Sequence, residues 1–282
     1  MTFMSAAAIL KAGVVALATC RRTPAMADDL NEILKNWEYH PADETANVRL
    51  VVGGDAIERL QLRVRFGILE LYADGSPETG GESILDEINR ELAEHRARKG
   101  SDKGFSINDF KTAQVSQEIM DYYQRRVCFF LLGDYRRAMR DAEHNLDLMR
   151  MLRKYSVDER AVLNHDRYRA FVLMDRARAS AMVAVEQGEL DRAMLEIDDA
   201  IAAIEEFYKE YSRGDLAGRS NEIEVLRDLK GELRKEYGIS MTDSERLQAL
   251  QEEQARAIAH EDYEKAARLR DEIQRMQSEE RS

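Results

Sequence analysis

The residue types that most often carry out chemistry are present in this chain, but their spacing does not bring them together. Five histidines, His40, His95, His144, His165 and His260, are scattered with no HExxH run and no CxxC beside them. Nothing therefore has the spacing of a metal site. The two cysteines, Cys20 and Cys128, lie far apart in unlike contexts; no disulfide is expected between them, and the pattern fits a reducing compartment. Cys128 sits in the apolar run Val127-Cys128-Phe129-Phe130-Leu131-Leu132 and reads as a small core residue. The turn Thr79-Gly80-Gly81 precedes a helix, where backbone N–H groups favour anions. It carries neither GxxxxGK[ST] nor GxGxxG, and Glu78 and Glu82 flank it with negative charge. A loop with Ser83 as helix N-cap is the simpler reading. With no nucleophile motif, metal cluster or phosphate loop, the expectation is a non-enzymatic protein with no cofactor and no metal.

Composition narrows the partners. The formal charge of −12 over 282 residues argues against broad nucleic-acid binding, which relies on clustered Lys and Arg. The short basic clusters Arg125-Arg126, Arg136-Arg137 and Arg150 to Lys154 read as solvated helix faces. All three prolines, Pro24, Pro41 and Pro77, fall in the first third. The rest is dense in Ala, Leu, Glu and Arg, a helical composition with nothing to break the ladder.

The elements that must position any site follow in three regions after a leader. Residues 1–25 hold an apolar run from Ser5 to Cys20, then Arg21-Arg22 and Ala25-Met26-Ala27. A signal peptide with an A-x-A site is one reading, but no cation precedes the run and Lys11 interrupts it. The preferred reading is an extension ahead of a start at Met26, so that a chain beginning there folds like the whole. Residues 26–100 read as a small α+β domain. Leu30, Ile33 and Leu34 form a short helical stripe ending near Trp37. Val48 to Val52 reads as a strand, Gly53-Gly54-Asp55 as a turn, and Ile57 to Tyr72 as a long second strand. Its apolar phase flips at Gly67, which suggests a β-bulge. Ser83 to Arg98 is an amphipathic helix through Ile84, Leu85, Ile88 and Leu92.

Residues 107–240 read as long helices. Leu132-Gly133-Asp134-Tyr135 with Ala138, and Gln187-Gly188-Glu189-Leu190 with Ala193, resemble the inter-helix turn of a tetratricopeptide repeat. Ala177, Ser180, Ala181 and Ala184 line the helix before the second turn, whereas Tyr122, Arg125 and Arg126 stand where small residues are usual. The turns are 55 residues apart, from Gly133 to Gly188, against about 34 in a standard repeat. Elongated hairpins, or a plain helical bundle, satisfy the pattern. Residues 212–220 read as a loop, and Glu222 to Tyr237 as a further helix.

Residues 243–278 form two short helical stripes, one through Leu247, Leu250, Gln254 and Ala257 and one through Tyr263, Ala266, Leu269, Ile273 and Met276. Helices this short are marginal alone, so each apolar seam is expected to pair with another hairpin. The run Glu261-Asp262-Tyr263-Glu264-Lys265-Ala266-Ala267-Arg268-Leu269-Arg270-Asp271-Glu272-Ile273 resembles the UVR motif, the helical hairpin by which UvrB and UvrC of bacterial nucleotide excision repair hold each other. Arg270 and Asp271 match the family's Arg-Asp pair, Tyr263 its aromatic position, and Ala266-Ala267 its small residues. Gln254 and Glu261 are more polar than the pattern. The resemblance implies a protein-binding surface built from Leu247, Leu250, Tyr263, Ala266, Ala267, Leu269, Arg270, Asp271, Ile273 and Met276. It also implies a cytoplasmic protein whose partner is another protein, or a second copy, rather than nucleic acid or membrane.

The expected architecture is mainly α: a small N-terminal α+β element with a β-hairpin, a TPR-like long-helix bundle, and a C-terminal UVR-like helical hairpin. The expected function is a non-enzymatic adaptor. The alternative is an accessory factor of excision repair recruited through the motif.

Overall fold

The computed structural model describes residues 34–240 and 243–279. Its contacts divide the chain into Met1–Glu38 and Tyr39–Ser282. In the first unit the Trp37 N–H closes a turn on the Leu34 carbonyl at 3.2 Å. The leader, the proposed start at Met26 and the stripe residues Leu30 and Ile33 lie outside the described residues.

The second unit opens with a three-stranded antiparallel sheet, β1 (Val48–Val52), β2 (Glu58–Val64) and β3 (Gly67–Tyr72), in the order β1-β2-β3. The expected long strand from Ile57 to Tyr72 is therefore two strands, and the phase change at Gly67 is a hairpin rather than a bulge. Arg65 and Phe66 make a two-residue turn, with Val64 paired to Gly67, Leu62 to Leu69 and Leu60 to Leu71. Such a pairing joins even-numbered positions to odd ones, so an apolar face must change parity across the turn. Leu60, Leu71 and Val48 are buried on this face against Cys128, Phe129 and Ala138 of the helices. The opposite face is polar, where Arg49 donates to Gln61 (2.8 Å) and Gln61 to Glu70 (2.7 Å).

A tight loop leaves β3. Gly75 has φ +68°, and a Cβ there would stand 2.3 Å from the Gly80 carbonyl oxygen, so this position is closed to other residues. Helix α1 (Ile84–Lys99) begins at Ser83 with a capping box closed by Asp86 and stops at Gly100. A second cap comes from outside: the Glu118 carboxylate accepts the N–H groups of Ile84 (2.7 Å) and Leu85 (3.3 Å).

The long helices are α2 (Asp109–Leu131), α3 (Tyr135–Tyr155), α5 (Arg169–Glu186), α6 (Leu190–Glu210) and α8 (Asn221–Tyr237), with short α4 (Glu159–Asp166) and α7 (Gly214–Ala217) between them. Helix α3 packs on α2 and α5, α5 on α6, and α8 on both α5 and α6. Small residues Ala177, Ala181, Ala184 and Ala193 let α5 and α6 approach closely, and Ile197, Ile204, Ile223 and Leu226 fill the space beside them. A second core joins α1, α2 and α3 through Ile88, Leu92, Val115, Leu148 and Leu152.

One basic cluster departs from its expected place. Arg125 and Arg126 are 1% and 0% exposed, not solvated. Arg125 makes a bidentate pair with Asp141 of α3 at 2.7 and 2.8 Å, and its remaining nitrogen donates to the carbonyls of Tyr72 (2.9 Å) and Gly75 (2.7 Å). It ties the end of β3 to two helices. Arg126 points the other way and pairs with Asp175 of α5 at 3.0 Å. Helix α2 is thus joined to α3 and α5 by buried charge as well as by close approach.

Candidate protein-docking hairpin

The last two helices, α9 (Asp243–Ala259) and α10 (Tyr263–Glu279), form an antiparallel pair. Their turn repeats a construction used twice earlier in the chain. At Gly133, Gly188 and Glu261 the backbone is left-handed, with φ of +72°, +74° and +62°. In each case the next residue's N–H reaches back five positions: Asp134 to Phe129 (2.9 Å), Glu189 to Ala184 (2.9 Å), Asp262 to Ala257 (2.8 Å). This is the Schellman closure of a helix end. The acid then starts the following helix, and its carbonyl accepts the N–H of Ala138, Ala193 or Ala266, at 3.0 Å in all three cases. Asp134 and Asp262 also cap with the side chain, accepting the N–H three residues on at 3.1 Å. The alanine that follows is buried every time. The sequence rule is a left-handed residue, an acid, an apolar residue, two polar residues and alanine.

That construction sets the hairpin's interior. Ala257, Ala266 and Leu269 are buried together, with Leu250 packed against them. Gln254 reaches across and donates to the Ala266 carbonyl at 3.3 Å, which gives its polarity a use within the pair. Lys265 and Glu253 add an ion pair between the helices at 2.9 Å. The two stripes expected to seek separate partners face each other instead. Short helices with narrow seams cover those seams first from the nearest source, which is the adjacent helix.

The expected surface residues accordingly fall into two sets. Leu250, Ala266 and Leu269 are interior, Ile273 is buried, and Leu247 and Met276 are half-buried. Tyr263, Ala267, Arg270 and Asp271 are exposed, Tyr263 by 67%. Tyr263, Ala267 and Arg270 are spaced by four and three, so they share one outward face of α10. Arg270 bonds to its neighbour Asp271 at 2.8 Å in the open. Ile258, on the last turn of α9, is 52% exposed and was missed because the stripe of that helix was drawn through Ala257. The position analogous to Tyr263 in the first helical hairpin is Tyr135, which packs edge-on against Phe130 at 6.2 Å beside the β-sheet core. Tyr263 lacks such a cover.

Away from the hairpin, a polar cleft is engaged by contacts of the fold itself. A cleft of about 330 Å³ beside Tyr122, Arg125, Arg140 and His144 has the look of a site. Within it His144 lies flat on Tyr122, with ring centroids 3.6 Å apart, and contacts Glu118 at 2.7 Å. Arg140 is held by Asp141 and the Ala73 carbonyl. Among the described residues no group of three His, Cys, Asp or Glu side chains is arranged to hold a metal ion. Burial pushes the Cys128 thiol up to about 12, so it stays protonated and inert. Among the described residues no helix is long and apolar enough to cross a membrane.

The chain is thus a mostly helical protein that ends in a small self-closed helical hairpin with an uncovered outer face. Residues 244–279 of that hairpin match the family model described as the UvrB/uvrC motif, UVR, which is a protein-interaction motif. The chain carries this motif. No curated protein and no solved structure matches the chain.

Proposed function

We propose that the protein is a cytoplasmic, non-enzymatic adaptor that captures a protein partner on the outer face of its UVR hairpin and presents it beside a TPR-like helical surface. The observation that carries this reading is the uncovered Tyr263 on a hairpin whose own seam is already closed. Aromatic side chains provide large contact area at low entropic cost and often anchor interfaces. Tyr263→Ala with Ala267→Asp removes the anchor and sets a charge on the same face while leaving Ala257, Ala266 and Leu269 in place. The expected result is loss of captured partner in a pull-down, with unchanged circular dichroism. Retained capture by a folded double variant sinks the proposal.

The excision-repair reading rests on the family match itself, since the motif is named for two proteins of that pathway. Its weight depends on the captured partner. Recovery limited to UvrA, UvrB or UvrC supports an accessory repair role, and with a charge of −12 the protein would reach DNA through them. Recovery of protease or chaperone components supports the adaptor role.

A further inference from the structure

The sheet has two edges, and they are treated differently. At the β3 edge the Tyr72 N–H donates to the Pro77 carbonyl (2.9 Å) and the Tyr72 carbonyl accepts from Arg125 (2.9 Å), so the following loop and α2 blunt it. The β1 edge has no such cover. Gly53 donates to the Ile57 carbonyl at 2.9 Å. Antiparallel alternation carries that inward direction to Val51 and Arg49, which pair with Arg59 and Gln61. The N–H and C=O groups of Val48, Leu50 and Val52 therefore point away from the sheet. The Val48 N–H is taken by the Thr45 carbonyl. Among the described residues no hydrogen bond reaches the outward groups of Leu50 or Val52. The strand also lacks the usual protections of an edge, with no proline, no bulge and no charge on its core face. Val48, Leu50 and Val52 share that face, and their exposure climbs from 6% to 36% to 67% along the strand. The helices thus cover the start of β1 and leave its end bare, apolar side chains beside unpaired backbone. Such an edge takes another extended strand.

We propose that this strand is β1 of a second copy, paired antiparallel about a two-fold axis at Leu50, so that one sheet runs through both molecules. The occupant follows from self-complementarity. A two-fold at Leu50 sets Leu50 against the partner's Leu50 and Val52 against the partner's Val48, joining outward residues only to outward residues. The Leu50 N–H then meets the partner's Leu50 carbonyl, and the Val52 N–H the partner's Val48 carbonyl, each twice by symmetry. On the core face Val52 gains an aliphatic neighbour at its bare end. On the other face Arg49 stands opposite the partner's Val51, so no like charges meet directly. A pair of five-residue strands covers less than the roughly 1,200 Å² of a standard stable interface, and each copy carries −12. The association is therefore weak, and salt strengthens it by screening that repulsion. It uses no residue of the UVR hairpin.

Sedimentation equilibrium tests the pairing on the full chain and on the Tyr263→Ala, Ala267→Asp variant. Both are expected to dimerise with a dissociation constant on the order of 100 µM at about 0.15 M salt, tightening about threefold at about 0.5 M. Val52→Lys changes an already exposed position and is expected to weaken the dimer about tenfold, with unchanged circular dichroism. Amide exchange locates the contact without a substitution. Leu50 and Val52 should slow about threefold as concentration rises through the dissociation constant, while Val51, bonded within the sheet, holds steady. A chain that stays monomeric to about 500 µM leaves the edge to a strand of another protein and overturns the proposal. A dimer that is indifferent to Val52→Lys, or that leaves exchange at Leu50 and Val52 unaltered, forms elsewhere and overturns it equally.

Discussion

At the scale of single residues, the decisive side chains are two neighbouring arginines facing opposite ways. Arg125 places every guanidinium nitrogen on an acceptor, whereas both Nη atoms of Arg126 are buried without a hydrogen-bond partner and the charge rests on Asp175 and the face of Tyr123. Removing one member of a buried pair strands the other, at a cost of about 3–5 kcal/mol, while replacing both by apolar residues of similar size is often close to neutral. Asp141→Ala is therefore expected to destabilise by about that amount, and Arg125→Met with Asp141→Leu by clearly less than the single change, both read from urea midpoints. The double variant also frees the carbonyls of Tyr72 and Gly75, so local exchange near residues 72–76 should still rise. Asp175 adds a pH signature. Burial raises its carboxyl above the ordinary 3.8 against the opposing pull of Arg126. In the interval above 3.8 the folded chain then holds more of this proton than the unfolded chain. This group's contribution to stability thus rises as pH falls through that interval and is lost as pH rises through the folded value. Comparing Asp175→Asn with the parent across mildly acidic pH should show that slope missing from the variant. An equal slope in both proteins sinks the assignment.

At the scale of elements, the same turn closes three helical hairpins, and one of the three is strained. Gly133 and Gly188 take positive φ without cost, but Glu261 does so at +62°, where a side chain crowds its own carbonyl by about 1 kcal/mol or more. Glu261→Gly is expected to stabilise the terminal hairpin by about 0.5–1 kcal/mol, part of the gain being offset by the greater freedom of glycine when unfolded. Slower amide exchange in α9 and α10, with none in α2 or α3, is the check; faster exchange would mean the turn is held by something other than this strain. The helices were legible because their caps and apolar spacing are local signals: Ser83 with Asp86, the Gly-acid turns, the stripes of the last two helices. The β2–β3 hairpin was not, since Arg65-Phe66 is no Asn-Gly or Asp-Gly turn and neither residue takes positive φ. The burial of Arg125 and Arg126 was illegible for another reason. Their acceptors are Asp141, Asp175 and two loop carbonyls, and a basic pair reads as solvent-facing until the fold brings those groups together. At the hairpin the seam residues were legible, but their direction was not, because a stripe shows which residues share a face and not what that face meets.

At the scale of the whole molecule, the division of apolar cores decides what is separable. The sheet core, the α1–α3 core and the α5–α6–α8 core share walls: Phe171 packs against both helical cores, and Ala179 of α5 lies in the sheet core. The hairpin's core is smaller and shares no residue with them. Ala266→Asp with Leu269→Asp puts two carboxylates into that small interior, where each loses hydration with no cation among the core residues, a cost of several kcal/mol. Two 17-residue helices that depend on each other have no reserve against such a loss. The double variant should lose the circular dichroism of α9 and α10 and any capture of partner, while the main thermal transition keeps its midpoint. Loss of capture here carries a different meaning from loss through Tyr263→Ala with Ala267→Asp, because only the latter leaves the hairpin folded. Comparing the two variants therefore separates a surface that binds from a fold that must exist for anything to bind. A main transition that shifts downward with the hairpin would instead make the α7–α8 corner a structural joint that couples the hairpin to the bundle.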